Sequence, residues 1–499
     1  MKIALNKGKK LVPTLETAQA VGVKKINSYL PGFSGLVGRA RNRTLRDYRC
    51  NVESANAGKP NHLRGWYGHL IAKACLEPRA GERKRGIDRE CLFWSFLGQV
   101  LRNGSCRDAL QEIQAARVAD GLSTLSSSTA SYCRARRDKF TDEELKGIHR
   151  EVAGSLMAEG GSFWEGHRVL SVDGTGISLE DTRANQHEFP QPSEQKVGCG
   201  FPVMQVVGLH DLSTGALLDY EESPLNAGES TLFHGLDLIN KVASGDILLF
   251  DRAYCSYLNM ATLAMRGAEG IGRLHGSRKI ALPKGDNDRV VIWERPASSR
   301  RPDYMTLSQW NELPKSIRVR YIRRRIDLAG HRPEEIIVVT TMLDASPDKV
   351  LQLFLRRWSM EVSLRDLKTT LGADHIRAKT PQMARKIFAM YMIAHNLIRW
   401  TMLQASADHE APLERLSFKG TLDILENWAR LASQSEQKRQ HWSSLLQLVA
   451  SDQNPSRPNR IEPRVRKRRP KTFPKMSRPR QNLRNRMIAS KKYAHEGLS

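Results

Sequence analysis

The sequence predicts an α/β fold: a mixed β-sheet core with a helical region before it, a β-rich insertion within it and a basic tail after it. Three observations carry that prediction. Four short apolar runs between residues 168 and 254, RVLSVDGTG, FPVMQVVGLHD, GALLDYEES and DILLFDRAY, are bounded by Gly, Pro or Asp and read as strands. ESTLFHGLDLINKVA and YLNMATLAMRG supply helices beside them. The formal net charge of +26 calls for an anionic polymer or surface as partner.

At 499 residues the chain exceeds a single hydrophobic core, and an apolar content of 40% suffices for several folded units. No run approaches the roughly 18 to 20 apolar residues of a membrane span. The opening MKIALNKGKKLVPTLETAQAV has only short apolar runs and makes a poor secretory signal. A cytoplasmic protein without a membrane partner is expected, so nucleic acid is the favoured polyanion. The seven cysteines (Cys50, Cys75, Cys91, Cys106, Cys133, Cys199 and Cys255) are odd in number and never spaced C-x-x-C. Neither a zinc site nor a disulfide framework follows from them.

Taken in order, residues 1–80 form an irregular basic segment. Residues 81–155 form a helical region in which DRECLFWSFLGQVLRN, SCRDALQEIQAARVAD and SSSTASYCRARRDK read as three helices separated by Gly104 and Gly121. The third carries Arg134, Arg136 and Arg137, as a helix entering a DNA groove or a solvated basic face would. Residues 165–275 hold the strands of the core, with the first and last runs continuous enough to be central. Residues 276–343 read as an insertion, since IRVRYIRRRI alternates Arg with apolar residues as a half-exposed antiparallel sheet does. Residues 344–405 supply two long helices, DKVLQLFLRRWSMEVSLRDLKTTLG and MARKIFAMYMIAHNLIRWTMLQAS, and residues 406–451 continue helical. From 452 to 499 the chain is rich in Pro and Arg; from Arg457 onward it holds 15 Lys/Arg against Glu462 and Glu496. Such a tail is too polar to bury a core and is expected to order on a phosphate backbone.

Two acidic residues stand at telling places, with Asp173 ending VLSVD and Asp251 ending ILLFD. A carboxylate at the end of a buried strand lies where α/β sheets bind ligands, although a lone one is more often a turn former or helix cap. A third acid, Glu361, sits in FLRRWSMEVSLRDLK. At roughly 100° per residue, Phe354, Arg357, Glu361 and Lys368 share an arc of about 60°. Leu353, Met360, Leu364, Leu367 and Leu371 form an apolar stripe directly beside it. A charged stripe is usually a solvated face, but this one borders the core. Three carboxylates from two strands and one helix suit phosphoryl transfer with two Mg²⁺ ions, which want hard oxygen ligands.

The order VDGTG, LLFDRAY, β-rich insertion and FLRRWSMEVSLRDLK resembles bacterial insertion-sequence transposases of the DDE class, the IS-four family. Their signature Y-x2-R-x3-E-x6-K is matched by Phe354, Arg357, Glu361 and Lys368, with Phe in place of Tyr. The resemblance spans roughly residues 88–475 and implies an RNase H-like core. It implies Asp173, Asp251 and Glu361 as catalytic residues and ligands of two Mg²⁺ ions, with Mn²⁺ able to substitute. It also implies DNA contacts from Arg357, Lys368, Arg365, Phe354 and Arg252. Arg134, Arg136 and Arg137, with Arg466, Lys467, Arg468 and Arg469 of the tail, are further expected DNA contacts.

The implied function is a transposase that binds terminal inverted repeats, cleaves the ends and joins them to target DNA. Its partners are double-stranded DNA and a second copy of the chain on that DNA, with no small-molecule substrate. The alternatives are a non-catalytic transposase-derived DNA-binding protein and an RNase H-like nuclease that does not join strands. Asp219, Glu221 and Glu222 read as a structural strand edge, His210 and His234 as hydrogen-bonded polar residues, and Trp293 and Trp310 as strand packing or a hold on a flipped base.

Overall fold

Apolar runs without alternation must be covered on both faces, and the central strands are. The computed structural model describes residues 62–82, 86–119, 121–160, 164–225, 228–235, 238–276, 278, 285–326, 334–432, 438–455 and 475–490. Its strands are β1 (Val169–Leu179), β2 (Val203–Asp211), β3 (Leu217–Pro224), β4 (Ile247–Phe250), β5 (Glu269–Arg273), β6 (Asn287–Glu294), β7 (Ser316–Ile326), β8 (Glu334–Thr340) and β9 (His375–Ile376). They form one sheet in the order β3-β2-β1-β4-β5-β8-β7-β6, with β9 also on β1. β1, β2 and β3 are antiparallel to one another, whereas β4 and β5 run parallel to β1. This is the RNase H-like arrangement.

Side chains alternate across a strand, so each central strand feeds two cores. Val169, Ile247, Leu249 and Ile271 pack on one face against Val350, Leu353 and Phe354. Leu170, Val172, Leu248 and Phe250 pack on the other against Phe233, Tyr254 and Met260.

The expected helices of the N-terminal region form as α1 (Arg89–Leu101), α2 (Cys106–Ala119) and α3 (Ala130–Asp138). Asp88 caps the first by accepting from Cys91 N at 2.8 Å. A fourth helix, α4 (Asp142–Glu159), is absent from the sequence-based expectation. Its signal was present as a capping box, in which Glu144 N donates to Thr141 Oγ1 at 3.1 Å and Thr141 N to the Glu144 carboxylate at 2.7 Å. Within the supposedly irregular 1–80 segment, His62–Tyr67 is helical. Leu63 and Tyr67 lie in the core, with the Tyr67 hydroxyl 2.8 Å from Thr401 Oγ1.

After the second core strands come α5 (Tyr257–Met265) and, beyond the insertion, α6 (Pro347–Leu355) and α7 (Trp358–Arg365). Next is α8 (Pro381–His409), whose 29 residues are mostly buried. Pro381 opens it and Thr380 caps it. α9 (Phe418–Ala432) and α10 (Lys438–Ser451) fill the expected C-terminal helical region, and Trp400 of α8 stacks on Trp442 of α10 at 5.6 Å. Where ESTLFHGLDLINKVA predicts one helix, the chain makes a π turn at Thr231–Gly235 and a 3₁₀ turn at Leu238–Lys241. The tail includes α11 (Arg480–Ala489), so it is not uniformly without structure.

The insertion is not a separate sheet. β8 pairs with β5, Ile271 opposite Thr340, and carries β7 and β6 outward as an extension of the main sheet. The Arg alternation of β7 is solvated only in part: Arg318 and Arg325 are exposed, whereas Arg320 is buried and its guanidinium bonds both oxygens of Asp288 at 2.6 Å. Trp293 and Trp310 are both packed inside, and Trp293 Nε1 donates to the Tyr321 hydroxyl at 2.6 Å. Packing therefore decides Leu249→Ala: it should lower stability by about 2–5 kcal/mol in guanidinium denaturation. Ile292→Ser, at a site 65% exposed on the sheet edge, should stay within about 0.5 kcal/mol of the parent.

Candidate active site

The two aspartates meet because of strand register. In the parallel ladder Val172 of β1 stands opposite Phe250 of β4, so the next residues, Asp173 and Asp251, emerge side by side. Asp251 does end its strand, as expected. Asp173 does not: β1 continues to Leu179, held by β2 from Leu170 to Ser178. What opens the strand at Asp173 is its other edge, where β4 covers Val169–Val172 and β9 covers only Ser178 and Leu179. Among the described residues, the edge from Asp173 to Ile177 has no ladder partner. Asp173, Gly174, Thr175 and Gly176 are half-buried there, inside a sheet whose flanking residues are fully buried. The carbonyl of Arg168 accepts from Ile247 N and the amide of Ser178 donates to Asp374 O on this edge. By alternation Gly174 and Gly176 turn their peptide groups into the same notch. Gly174 N is closed by Asp173 Oδ1 at 2.9 Å.

Asp173 shares the face of Val169, which is the face that α6 covers. The single helix expected over FLRRWSMEVSLRDLK is in fact three pieces. Arg356 and Arg357 donate to the carbonyls three residues back, at 3.1 Å each, which tightens the chain between α6 and α7. Asp366–Thr370 then widens into a π turn, with Leu371 N bonding Asp366 O at 2.9 Å. A uniform 100° per residue therefore fails across this stretch.

The pieces nevertheless deliver the expected side chains to the notch. Arg357 Nη2 binds Glu361 Oε1 at 3.0 Å, and its charge also reaches Asp173. Lys368 Nζ donates to Thr175 Oγ1 at 3.1 Å, on the strand residue that shares a face with Asp173. Arg252 is exposed directly beside Asp251, and Arg365 is exposed next to Asp366.

Several expected residues are elsewhere. Phe354 is buried among Val169, Leu249 and Leu353, so it packs and does not face DNA. Arg136 is buried too, with its guanidinium 4.3 Å above the Phe96 ring and Nη1 2.9 Å from Cys106 Sγ. Its neighbours Arg134 and Arg137 are exposed, the latter paired with Asp138 at 2.7 Å. Asp219 is bound by Arg150 at 3.0 Å, Glu221 by Lys146 at 2.9 Å and Glu222 by Arg385 at 3.2 Å. His234 has Thr262 at 3.1 Å as expected, but His210 is enclosed with no hydrogen-bond partner among the described residues on either ring nitrogen. Its burial holds it neutral. Arg466, Lys467, Arg468 and Arg469 lie outside the described residues.

One functional-looking residue escaped sequence reasoning. Glu229 places its carboxylate over Gly174, and no spacing rule connects it to Asp173, 56 positions earlier. Burial pushes the Asp173 carboxyl up to about 6; the Gly174 amide and Arg357 oppose this, while Glu229 and Asp251 add to it. Among the described residues no three acidic or histidine side chains converge at metal-ligand distance, Glu361 being turned to Arg357. The donors are nonetheless hard carboxylate oxygens, and neither aspartate forms a salt bridge to a described residue. That crowding of negative charge fits a divalent cation.

A carboxyl raised in the folded state binds its proton more tightly there than when unfolded, so ionisation on going from pH 4 to 6 removes stability. Asp173→Asn should therefore unfold at higher denaturant than the parent at pH 7.5, by up to about 3 kcal/mol. The difference should vanish below about pH 4, which paired denaturation curves at the two pH values will measure.

Residues 164–397, the segment that holds all three carboxylates, match the Transposase DDE domain family. The chain is 22% identical over 424 residues to the Transposase InsG for insertion sequence element IS4 of Escherichia coli (strain K12), covering 80% of this chain and 90% of that protein. It is also 22% identical over 258 residues to the Putative transposase InsZ of the same organism, covering 47% and 83%. A piggyBac transposase synaptic complex with hairpin DNA, solved by cryo-EM, superimposes with a TM-score of 0.41 at 10% identity, covering 79% of this chain and 86% of that one. With its DDE domain laid over the paired aspartates and its likeness running through most of its length, the chain belongs to the DDE-class transposases of the IS4 family.

Proposed function

We propose that this DNA transposase uses Asp173, Asp251 and Glu361 to hold the divalent cations that DDE domains generally require, with Mg²⁺ as the working ion and Mn²⁺ able to replace it. The observation that supports this reading most directly is the Val172–Phe250 register, which sets two unpaired aspartates side by side at a half-exposed notch. Bound there, the ions would activate the attacking oxygen and stabilise the leaving one. Asp173 and Asp251 supply fixed oxygens from rigid strands, and Glu361 supplies one from α7. Arg357 now neutralises Glu361; its planar fork is also suited to a phosphate, so it can exchange one anion for the other. Lys368, steadied by Thr175, offers a point charge on the same face. Exposed Arg252 and Arg365, with exposed Arg134 and Arg137 of α3, would add contacts to the transposon end.

The enzyme would bind the inverted repeats, cleave the ends and join the freed 3′ hydroxyls to target DNA, acting in the cytoplasm on nucleoid DNA. Two ends must be brought together, so a homodimer on DNA is the working assembly. The basic tail, including Arg466 to Arg469, would add affinity that does not depend on sequence, because each neutralised phosphate releases counterion.

A labelled duplex carrying the element's ends tests this reading. The wild type should cut at the element boundary with Mg²⁺ or Mn²⁺, stop with EDTA, and join the cut ends to plasmid. Glu361→Ala and Asp251→Ala should bind the ends with unchanged affinity and lose cleavage by more than about 10³-fold. Cutting without joining would replace transposition by hydrolysis alone, and cutting by both variants would remove these carboxylates from the centre. Truncation after residue 455 should weaken binding to every duplex and flatten the salt dependence of affinity; an unchanged slope would rule out the tail as a phosphate contact.

A further inference from the structure

Glu229 belongs to neither aspartate strand nor the helix of Glu361, yet it is built into the notch. A Cβ placed on Gly174 would lie 2.3 Å from Glu229 Oε1 and 2.4 Å from Cδ. A side chain at this position would push the carboxylate aside, so the glycine leaves the space that Glu229 fills, in a strand where glycine is otherwise unfavourable. The carboxylate is also anchored: Gln205 of β2, itself buried, donates Nε2 to Oε1 at 3.0 Å. Gln205 stands opposite Gly176 in the ladder, so Glu229 approaches from the face opposite to Asp173, Thr175 and Lys368.

A second feature points at the same place. Tyr254, three residues after Asp251, is fully buried, and its hydroxyl lies among Glu229, Asp173 and Asp251. It is directed at the Glu229 carboxylate, at a reach too long for a strict hydrogen bond, and no other described group meets it. A buried hydroxyl left open is costly unless something polar meets it. Of the three carboxylates whose charge it feels, Glu229 weighs most.

We propose that Glu229 is a fourth carboxylate of the divalent-cation centre, reaching it through the gap that Gly174 leaves in β1; this rests on the assignment of Asp173 and Asp251 as cation-holding residues. Its place across the strand from Asp173 assigns it to the water shell of the ion, not to direct ligation. Mg²⁺ gives up water reluctantly and keeps several water ligands in such sites. Groups that orient those ligands weigh on affinity nearly as the ligands do. Tyr254 would share that shell.

Mn²⁺ binding to the full-length chain, followed by the electron paramagnetic resonance of free Mn²⁺ at pH 7.5, tests the proposal without relying on turnover. Glu229→Gln, which preserves shape and can still accept from Gln205, should weaken Mn²⁺ binding about 10–100-fold with an unchanged unfolding midpoint. Gly174→Ala should do the same, because its Cβ displaces the carboxylate. The double variant should bind no more weakly than either single one, since both remove one interaction. Wild-type affinity in Glu229→Gln, or in Gly174→Ala should Glu229→Gln fail to fold, overturns the proposal while leaving the aspartate centre intact. A wild type that binds no Mn²⁺, or an Asp173→Asn variant that binds it equally well, overturns the aspartate centre itself.

Discussion

The parallel pairing of β1 with β4 is the constraint on which the rest depends. Four residue pairs, from Val169 with Ile247 to Val172 with Phe250, fix the two strands. A slip of one residue would turn every side chain to the other face. The register is secured by apolar matching on both sides: Val169 and Leu249 belong to the core under α6, Val172 and Phe250 to the core under α5. Stability and chemistry are thus coupled at one place. The same burial that makes the strands central holds Asp173 next to Asp251, against the repulsion of their like charges.

The site then has an electrostatic problem that the fold solves locally. Asp173, Asp251 and Glu229 crowd one notch, and burial makes the charge of Asp173 harder to sustain. The charge of Arg357 bears on Asp173, and this guanidinium is committed to Glu361. Such a balance leaves the carboxylates electrostatically under-compensated, as a centre awaiting a cation and a phosphate must be. Despite the tightening before α7 and the widening at Asp366–Thr370, Arg357 and Lys368 both bring their charges to β1.

The notch itself follows from incomplete pairing. A central strand normally has both edges closed, but β4 stops at Phe250 and β9 begins only at the level of Ser178. The two glycines of VDGTG lie in this interval. Gly174 makes room for Glu229, and Gly176 fits beneath Val203, 3.1 Å from where its Cβ would be. Away from this centre, Asp219, Glu221 and Glu222 on the far strand β3 are the structural strand edge expected of them, each bound to a helix residue.

The sequence by itself determined the apolar strand runs, the placement of an aspartate at the level where β4 ends, the three helices with Gly boundaries and the charge that demands nucleic acid. These are local properties: periodicity, capping residues and turn formers act within a few positions. It also located Arg357, Glu361 and Lys368, whose spacing survives the breaks in the helix. Only the tertiary structure decided which similar residues were equivalent. Arg136 and Arg137 are adjacent and alike in sequence, yet one lies against Phe96 inside and the other is outside. Phe354 could pack or face a ligand until Val169 and Leu249 were placed beneath it. Glu229 and Gly174, like Lys368 and Thr175, come together from distant positions through strand register and the absence of a Cβ. Such contacts are set by three-dimensional volume, which no local pattern along the chain encodes.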